Sequence, residues 1–165
     1  MARPADLVDR IRAAWAVALP SVDTSPIEVW GRLHRTSTLA TAQIERVLEG
    51  SGVTRSEFDV LCALARTSRP LRASEVTAET MLSGAATTKL TARLESAGLI
   101  ARTRLERDGR VVQLTLTDAG RALVEREIPR ALAHDDRLLD GFSDADRKAL
   151  ASLLSRLMEN AQREA

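Results

Sequence analysis

Tyrosine is absent from this chain, and phenylalanine and tryptophan together supply only four residues. Proteins that hold single-stranded nucleic acid stack its bases on aromatic side chains, so that class is disfavoured. A single cysteine, Cys62, excludes an internal disulfide framework and a cysteine-rich zinc site. The two histidines, His34 and His134, stand far apart, and neither HExxH nor C-x-x-C occurs. No metal and no cofactor is therefore expected. No apolar run reaches the roughly 18 residues of a membrane span, so no membrane partner is expected. Residues 11–20, IRAAWAVALP, faintly resemble a signal-peptide core, but Asp6 and Asp9 flank them where a signal is basic. A helix, in a cytoplasmic protein, is the better expectation. Net charge is only +1, which offers no global argument for a polyanion partner.

What is present reads as globular: 44% hydrophobic and 28% charged over 165 residues. A chain of this size buries roughly 70% of its unfolded surface, enough for one domain with helical extensions. It has no room for a nucleotide-binding domain plus a substrate domain. No GxGxxG follows a strand, and no Ser-His-Asp or Cys-His arrangement can be assembled, so an enzyme is not expected. The charge is unevenly spread. Residues 1–65 carry a net −1, residues 66–110 a net +4 and residues 111–165 a net −2.

Periodicity places the elements. Leu7, Ile11, Ala14, Trp15, Ala18 and Leu19 lie on one face of a helix opened by Pro4. Pro26, after Thr24 and Ser25, starts a long helix to about Glu49, stopped by Gly50-Ser51-Gly52. Thr54 and Glu57 form a capping box for a third helix, with Phe58, Leu61 and Leu64 inward. Leu71-Arg72-Ala73 suits only a bridging strand. A brief helix to about Thr80, a turn at 81–84 and a helix from Ser83 to about Ala97 follow. Gly98 ends that helix. Two strand-like runs, 99–105 and 111–116, flank a polar tip whose Asp108-Gly109 signals a hairpin. Thr117 starts another helix, with a kink expected at Pro129. A last helix starts near Ser143 and carries Leu150, Leu153, Leu154, Leu157 and Met158.

Helix, short helix, turn, helix and β-hairpin make a winged helix-turn-helix. The expected fold is mostly α, in three parts: residues 1–50, an added N-terminal helix and a long dimerisation helix; residues 54–116, the winged lobe; and residues 117–165, C-terminal dimerisation helices. A helix fits the major groove of double-stranded DNA and meets base edges with its exposed N-terminal residues. Candidates are Ser83, Gly84, Ala85, Ala86, Thr87, Thr88 and Lys89, with Arg93 further on. Small residues there let the backbone approach. Arg107 and Arg110 at the wing tip suit a narrow minor groove, and Asp108 can pair with one of them. Arg104 and Arg102 alternate along a strand, so one faces phosphate and the other a pocket or solvent.

These residues resemble the MarR family of bacterial transcription regulators. The resemblance rests on Leu82-Ser83, Thr88, Arg93-Leu94-Glu95, Gly98-Leu99-Ile100, Asp108-Gly109-Arg110 and Leu114 through Gly120, and it covers about residues 54–121 closely. It implies a homodimer with intertwined terminal helices, a DNA site with two half-sites, and repression relieved by a small ligand. Such ligands are often aromatic or carboxylated anions. The added helix resembles the branch that responds to urate-like anions. Trp15, Asp59 and Arg102 then occupy places comparable to that branch's pocket residues, while Lys89 and Leu90 stand where a second arginine would be. A second candidate pocket set is Trp30, Arg32, His34 and Arg35 on the long helix, where an arginine can grip a carboxylate and His34 can add a donor.

Blander readings stay open beside these. Trp15 can simply anchor the added helix. Asp59 can pair with Arg55 or Arg66. Arg32 and Arg35 can be solvated charges, and Cys62 can be a small core residue. A winged protein-interaction module without specific DNA binding is the alternative function, and the +4 middle segment argues against it.

Overall fold

The computed structural model describes residues 4–105 and 108–163, with side chains described at 4–104 and 112–163. Seven helices and one small sheet follow one another: α1 (Leu7–Ala18), α2 (Pro26–Val47), α3 (Arg55–Ala65), β1 (Leu71–Arg72), α4 (Ala73–Thr80), α5 (Gly84–Ser96), β2 (Ile100–Leu105), β3 (Asp108–Leu116), α6 (Asp118–Arg137) and α7 (Asp144–Arg163). This is the expected mostly helical winged helix-turn-helix. No helix among the described residues is long and apolar enough to cross a membrane.

Local chemistry sets most boundaries. The Asp6 carboxylate accepts from the amides of Val8 and Asp9, and Asp9 accepts in return from the Asp6 amide, so a capping box rather than Pro4 opens α1. Ser25, at the N-cap of α2, makes no side-chain cap. Ser25 donates from its amide and its hydroxyl to Asp23, and the start of α2 rests on Pro26. Thr54 and Glu57 form the predicted box at α3. Ser83 caps α5 through the Ala86 amide, and Thr117 caps α6 through the Gly120 amide. Helix α6 continues past Pro129 to Arg137, with proline inside it.

The sheet runs β1-β3-β2, all antiparallel. Ile100 faces Leu116, and Arg102 and Leu71 lie on either side of Leu114. This register puts Leu71, Ile100 and Leu114 into the core, each 2% exposed or less. Phe58, Leu61 and Leu64 of α3, Val76 of α4, Leu94 of α5 and Leu123 of α6 meet them there. Fully burying one such side chain contributes about 1.5–3 kcal/mol, so this cluster holds the winged lobe together. Ile44 and Leu48 carry the core to the end of α2.

The long helices are different. Helix α1 buries only Val8, α2 only Ile44, and α7 no residue at all. Leu7, Ile11, Trp15, Val29, Trp30, Leu39, Leu153, Leu154 and Met158 are all exposed. Helix α1 is nevertheless seated on α2. Val8 packs so closely on Gly31 that a β-carbon there would meet a valine methyl at 2.8 Å. Arg32 donates to Asp6 at 3.0 Å, to Asp9 at 2.5 Å and to the Glu28 carbonyl at 2.8 Å.

Candidate nucleic-acid interface

Helix α5 is held from behind. Thr87, Thr91 and Leu94 are each about 1% exposed and face the core and α4. Thr77 of α4 donates its hydroxyl to Thr87 at 2.8 Å, and Thr87 in turn donates to the Ser83 carbonyl at 3.2 Å. Thr87 is thus removed from the set of residues expected to meet DNA. It packs α4 to α5, and its hydroxyl is satisfied internally. The opposite face of α5 is open: Ser83, Gly84, Ala85, Thr88, Lys89, Ala92 and Arg93 are exposed and Ala86 is half-buried. Glycine at position 84 has nothing within 4 Å of where a β-carbon would stand, so the approach to this helix end is unobstructed.

Arg93 has a second task that composition did not reveal. Its Nε lies 3.1 Å from Glu57 Oε1, and that carboxylate is 1% exposed. The other oxygen of Glu57 accepts from the Thr54 amide at 2.8 Å and the Thr54 hydroxyl at 2.9 Å. Oε1 has no hydrogen bond among the described residues, so the Arg93 charge is its compensation. The capping box was legible from spacing, but the arginine two helices away that neutralises it was not.

At the start of α4, Glu75 accepts from the Arg72 amide at 2.7 Å and from Arg69 at 2.7 Å. The Arg69 guanidinium, with the Arg72 amide, holds the Glu75 carboxyl down at about 2. Arg66 reaches Glu79 at 3.0 Å. Arg66 and Arg69, between α3 and β1, are therefore both partnered by glutamates of α4. On the wing, Arg104 is exposed and faces Val112 in register, before the irregular step at Leu105. Arg102 is half-buried and lies 3.6 Å from Glu95 of α5. Arg107 lies outside the described residues. So do the side chains of Asp108 and Arg110, whose backbone begins β3.

The expected ligand residues do not form one described cluster. Trp15 is on α1 and Trp30 on α2, each about half exposed. Asp59 accepts from Arg55 at 3.0 Å and 3.1 Å, a pairing within α3. Arg32 is engaged by Asp6 and Asp9, and His34 and Arg35 are exposed. Trp30 borders a cavity of about 570 Å³ with Leu157, Asn160, Ala161 and Arg163 of α7. A larger groove, about 670 Å³, runs between the end of α2, the Gly50–Val53 loop and Arg93. Cys62 is buried in the core. Burial first, then the nearby Asp59 charge, pushes its thiol up to about 11, so it is not a reactive thiolate.

Comparison with known proteins agrees with this geometry. The profile of the MarR family matches residues 51–111, from the start of α3 to the wing. The chain is similar to the HTH-type transcriptional regulator PecS of Dickeya dadantii strain 3937, 31% identical over 159 residues that cover 95% of each chain. Among solved structures it is similar to Bordetella bronchiseptica BpsR, whose DNA binding is regulated by 6-hydroxynicotinic acid. There the TM-score is 0.73 at 30% identity, covering 79% of this chain and 98% of that one. It is also similar to a transcriptional repressor, CouR, bound to a 23-mer DNA duplex. There the TM-score is 0.72 at 26% identity, covering 79% of this chain and 92% of that one.

Proposed function

Because the chain belongs to the MarR family of helix-turn-helix transcription regulators, we propose that it acts as a homodimeric repressor, cytoplasmic, which a small anionic or aromatic ligand releases from a pseudo-palindromic operator. The observation that carries this reading is the pairing of two surfaces in one chain. Helix α5 offers an open, small-residue face, and the terminal helices carry apolar side chains that stay exposed among the described residues. A second copy on those helices would set two α5 helices about one turn of B-DNA apart, near 34 Å. Ser83, Ala85, Thr88 and Lys89 would enter the major groove. Arg104, Arg107 and Arg110 would follow the backbone and minor groove, with Asp108 steadying the tip.

For the ligand, the resemblance to BpsR supports an aromatic carboxylate. Trp15, Trp30, Arg32, His34, Asp59 and Arg102 remain the residues we assign to it. An anion that took Arg32 would have to compete with Asp6 and Asp9, so binding would loosen α1 from α2. Only a ligand that prefers the DNA-incompetent arrangement can shift the balance.

The test is an electrophoretic mobility shift on the DNA flanking the protein's own gene, titrated with urate, salicylate, citrate and aromatic acids. Specific binding that one compound reverses is the expected result. Absence of binding even at low salt would reject the DNA-binding reading in favour of an interaction module.

A further inference from the structure

Four exposed residues of α5 form a row with helical spacing: Ala85, Thr88, Lys89 and Ala92, at i, i+3, i+4 and i+7. Three of the four end in methyl groups. The threonine hydroxyls nearby have already given their protons, and the serine hydroxyl is engaged as an acceptor. Ser83 Oγ accepts from the Ala86 amide at 3.2 Å. Thr88 donates to the Gly84 carbonyl at 2.9 Å, and Thr91 to the Thr87 carbonyl at 2.8 Å. Thr88 therefore has no proton left for a base acceptor, and its γ-methyl is the part of an exposed side chain without an intrahelical role. Arg93, the one fork-shaped donor on this helix, is drawn back to Glu57. What remains toward the groove is methyl surface, one ammonium and, at the helix cap, the hydroxyl proton of Ser83. The row holds no Asn, Gln or free Arg for bidentate reading of adenine or guanine.

We propose that this protein reads its operator mainly through thymine C5-methyl groups, with Ala85, Thr88 and Ala92 as the specificity-determining contacts and Lys89 marking a single guanine or phosphate. The proposal rests on the DNA-binding reading above and deepens it. The chemistry is a match of like surfaces. A methyl buried against a methyl leaves water at about fourfold in affinity, and the small side chains of α5 let the helix backbone come close enough for such contacts. Half-sites should accordingly be rich in thymine on the strand facing this row.

The experiment begins with enrichment of a tight duplex from a randomised pool by the full-length protein. That duplex is then remade with deoxyuridine in place of thymidine, first within the half-sites and then only in the spacer between them. Replacement in the half-sites should weaken binding at least tenfold, while replacement in the spacer should leave it unchanged. Two variants separate methyl from hydroxyl. Thr88→Val keeps methyl groups and should bind within about twofold of the parent. Thr88→Ser keeps the hydroxyl, and should bind more weakly and lose its sensitivity to one uridine position. Melting curves of both variants check that the lobe stays folded. An unchanged affinity on the uridine duplex overturns the proposal, as does a Thr88→Ser that binds like the parent while Thr88→Val fails. If no duplex is enriched at all, the DNA-binding reading itself falls, and that is seen before any uridine is introduced.

Discussion

The winged lobe and the long helices solve the same problem in opposite ways. From Thr54 to Leu116 the chain buries most of its core: α3 alone buries seven residues, Leu71, Val76, Leu94, Ile100 and Leu114 join them, and Ile44, Leu48 and Leu123 close it from α2 and α6. Helices α1, α2 and α7 together span 54 residues and bury two. Their apolar residues recur with helical spacing just as regularly, yet they remain exposed. A pattern therefore says that a face will be buried, and not by what. In the lobe the burying partner is the same chain. In the long helices we propose that it is a second copy.

The largest effect should follow from removing that partner. Replacing Leu153 and Met158 on α7 by glutamate keeps helix propensity while placing charge on the apolar face. The double variant should sediment as a monomer, and its operator affinity should fall about 1000-fold, the scale lost when two linked binding events become one. The lobe should still unfold cooperatively in denaturant. A double variant that remains dimeric and binds normally would break the comparison, because α7 would then be exposed for some other reason.

The next effect tests the junction of the two regions. A β-carbon on Gly120 would stand 2.0 Å from the Leu99 carbonyl oxygen, and backbone cannot step aside as a side chain does. The same carbonyl accepts from the Thr117 amide at 3.1 Å, so α6 is fastened to the lobe at this point. Gly120→Ala should cost about 3 kcal/mol by overpacking, read from a chemical denaturation midpoint. Gly31→Ala, which meets only a valine methyl at 2.8 Å, should cost far less. Equal costs would mean that α1 is held as rigidly as the lobe.

Inside the lobe, Arg93 joins α5 to the buried end of α3. If it mainly compensates the buried Glu57 carboxylate, Arg93→Ala should lower stability by about 2 kcal/mol, the order expected for an orphaned buried acceptor. Its own exposure argues against a larger figure. Adding Glu57→Gln should recover part of the loss. If Arg93 instead serves DNA alone, stability should hold and the salt dependence of binding should flatten by about one phosphate contact.

The order of elements and their ends were legible because caps and breakers act locally. Thr54 with Glu57, Ser83, Gly98 and Thr117 each work within one turn of chain, so spacing alone finds them. Faces were less legible. Thr87 and Thr88 are adjacent and chemically identical, and only the packing of α4 makes one a core residue and the other a surface one. Long-range polar partners were not legible at all. Arg32 finds Asp6 and Asp9 across 26 and 23 positions, and Arg93 finds Glu57 across two other elements. An arginine read as a site residue from its type can be a structural clamp. With those clamps set aside, the open row on α5 is the surface we propose for the groove.

The smallest effect concerns Met81, where the lobe departs from its own economy. Met81 ends α4 with φ of 55° and is 93% exposed, so it takes a left-handed backbone without packing its side chain. A side chain in that conformation costs roughly 1–2 kcal/mol, and glycine would remove the cost. Glycine would also loosen the unfolded chain, which takes back about 0.4–1 kcal/mol. The balance favours Met81→Gly by about 0.5 kcal/mol, measurable as a rise in the denaturation midpoint at unchanged slope. Operator affinity should stay within twofold, because Met81 precedes the α5 cap and is not in the row we propose for the groove. A fall in stability would mean that the methionine is covered in the working protein. The lobe would then share with α7 a surface that only a partner completes, and the contrast between the two regions would be one of degree.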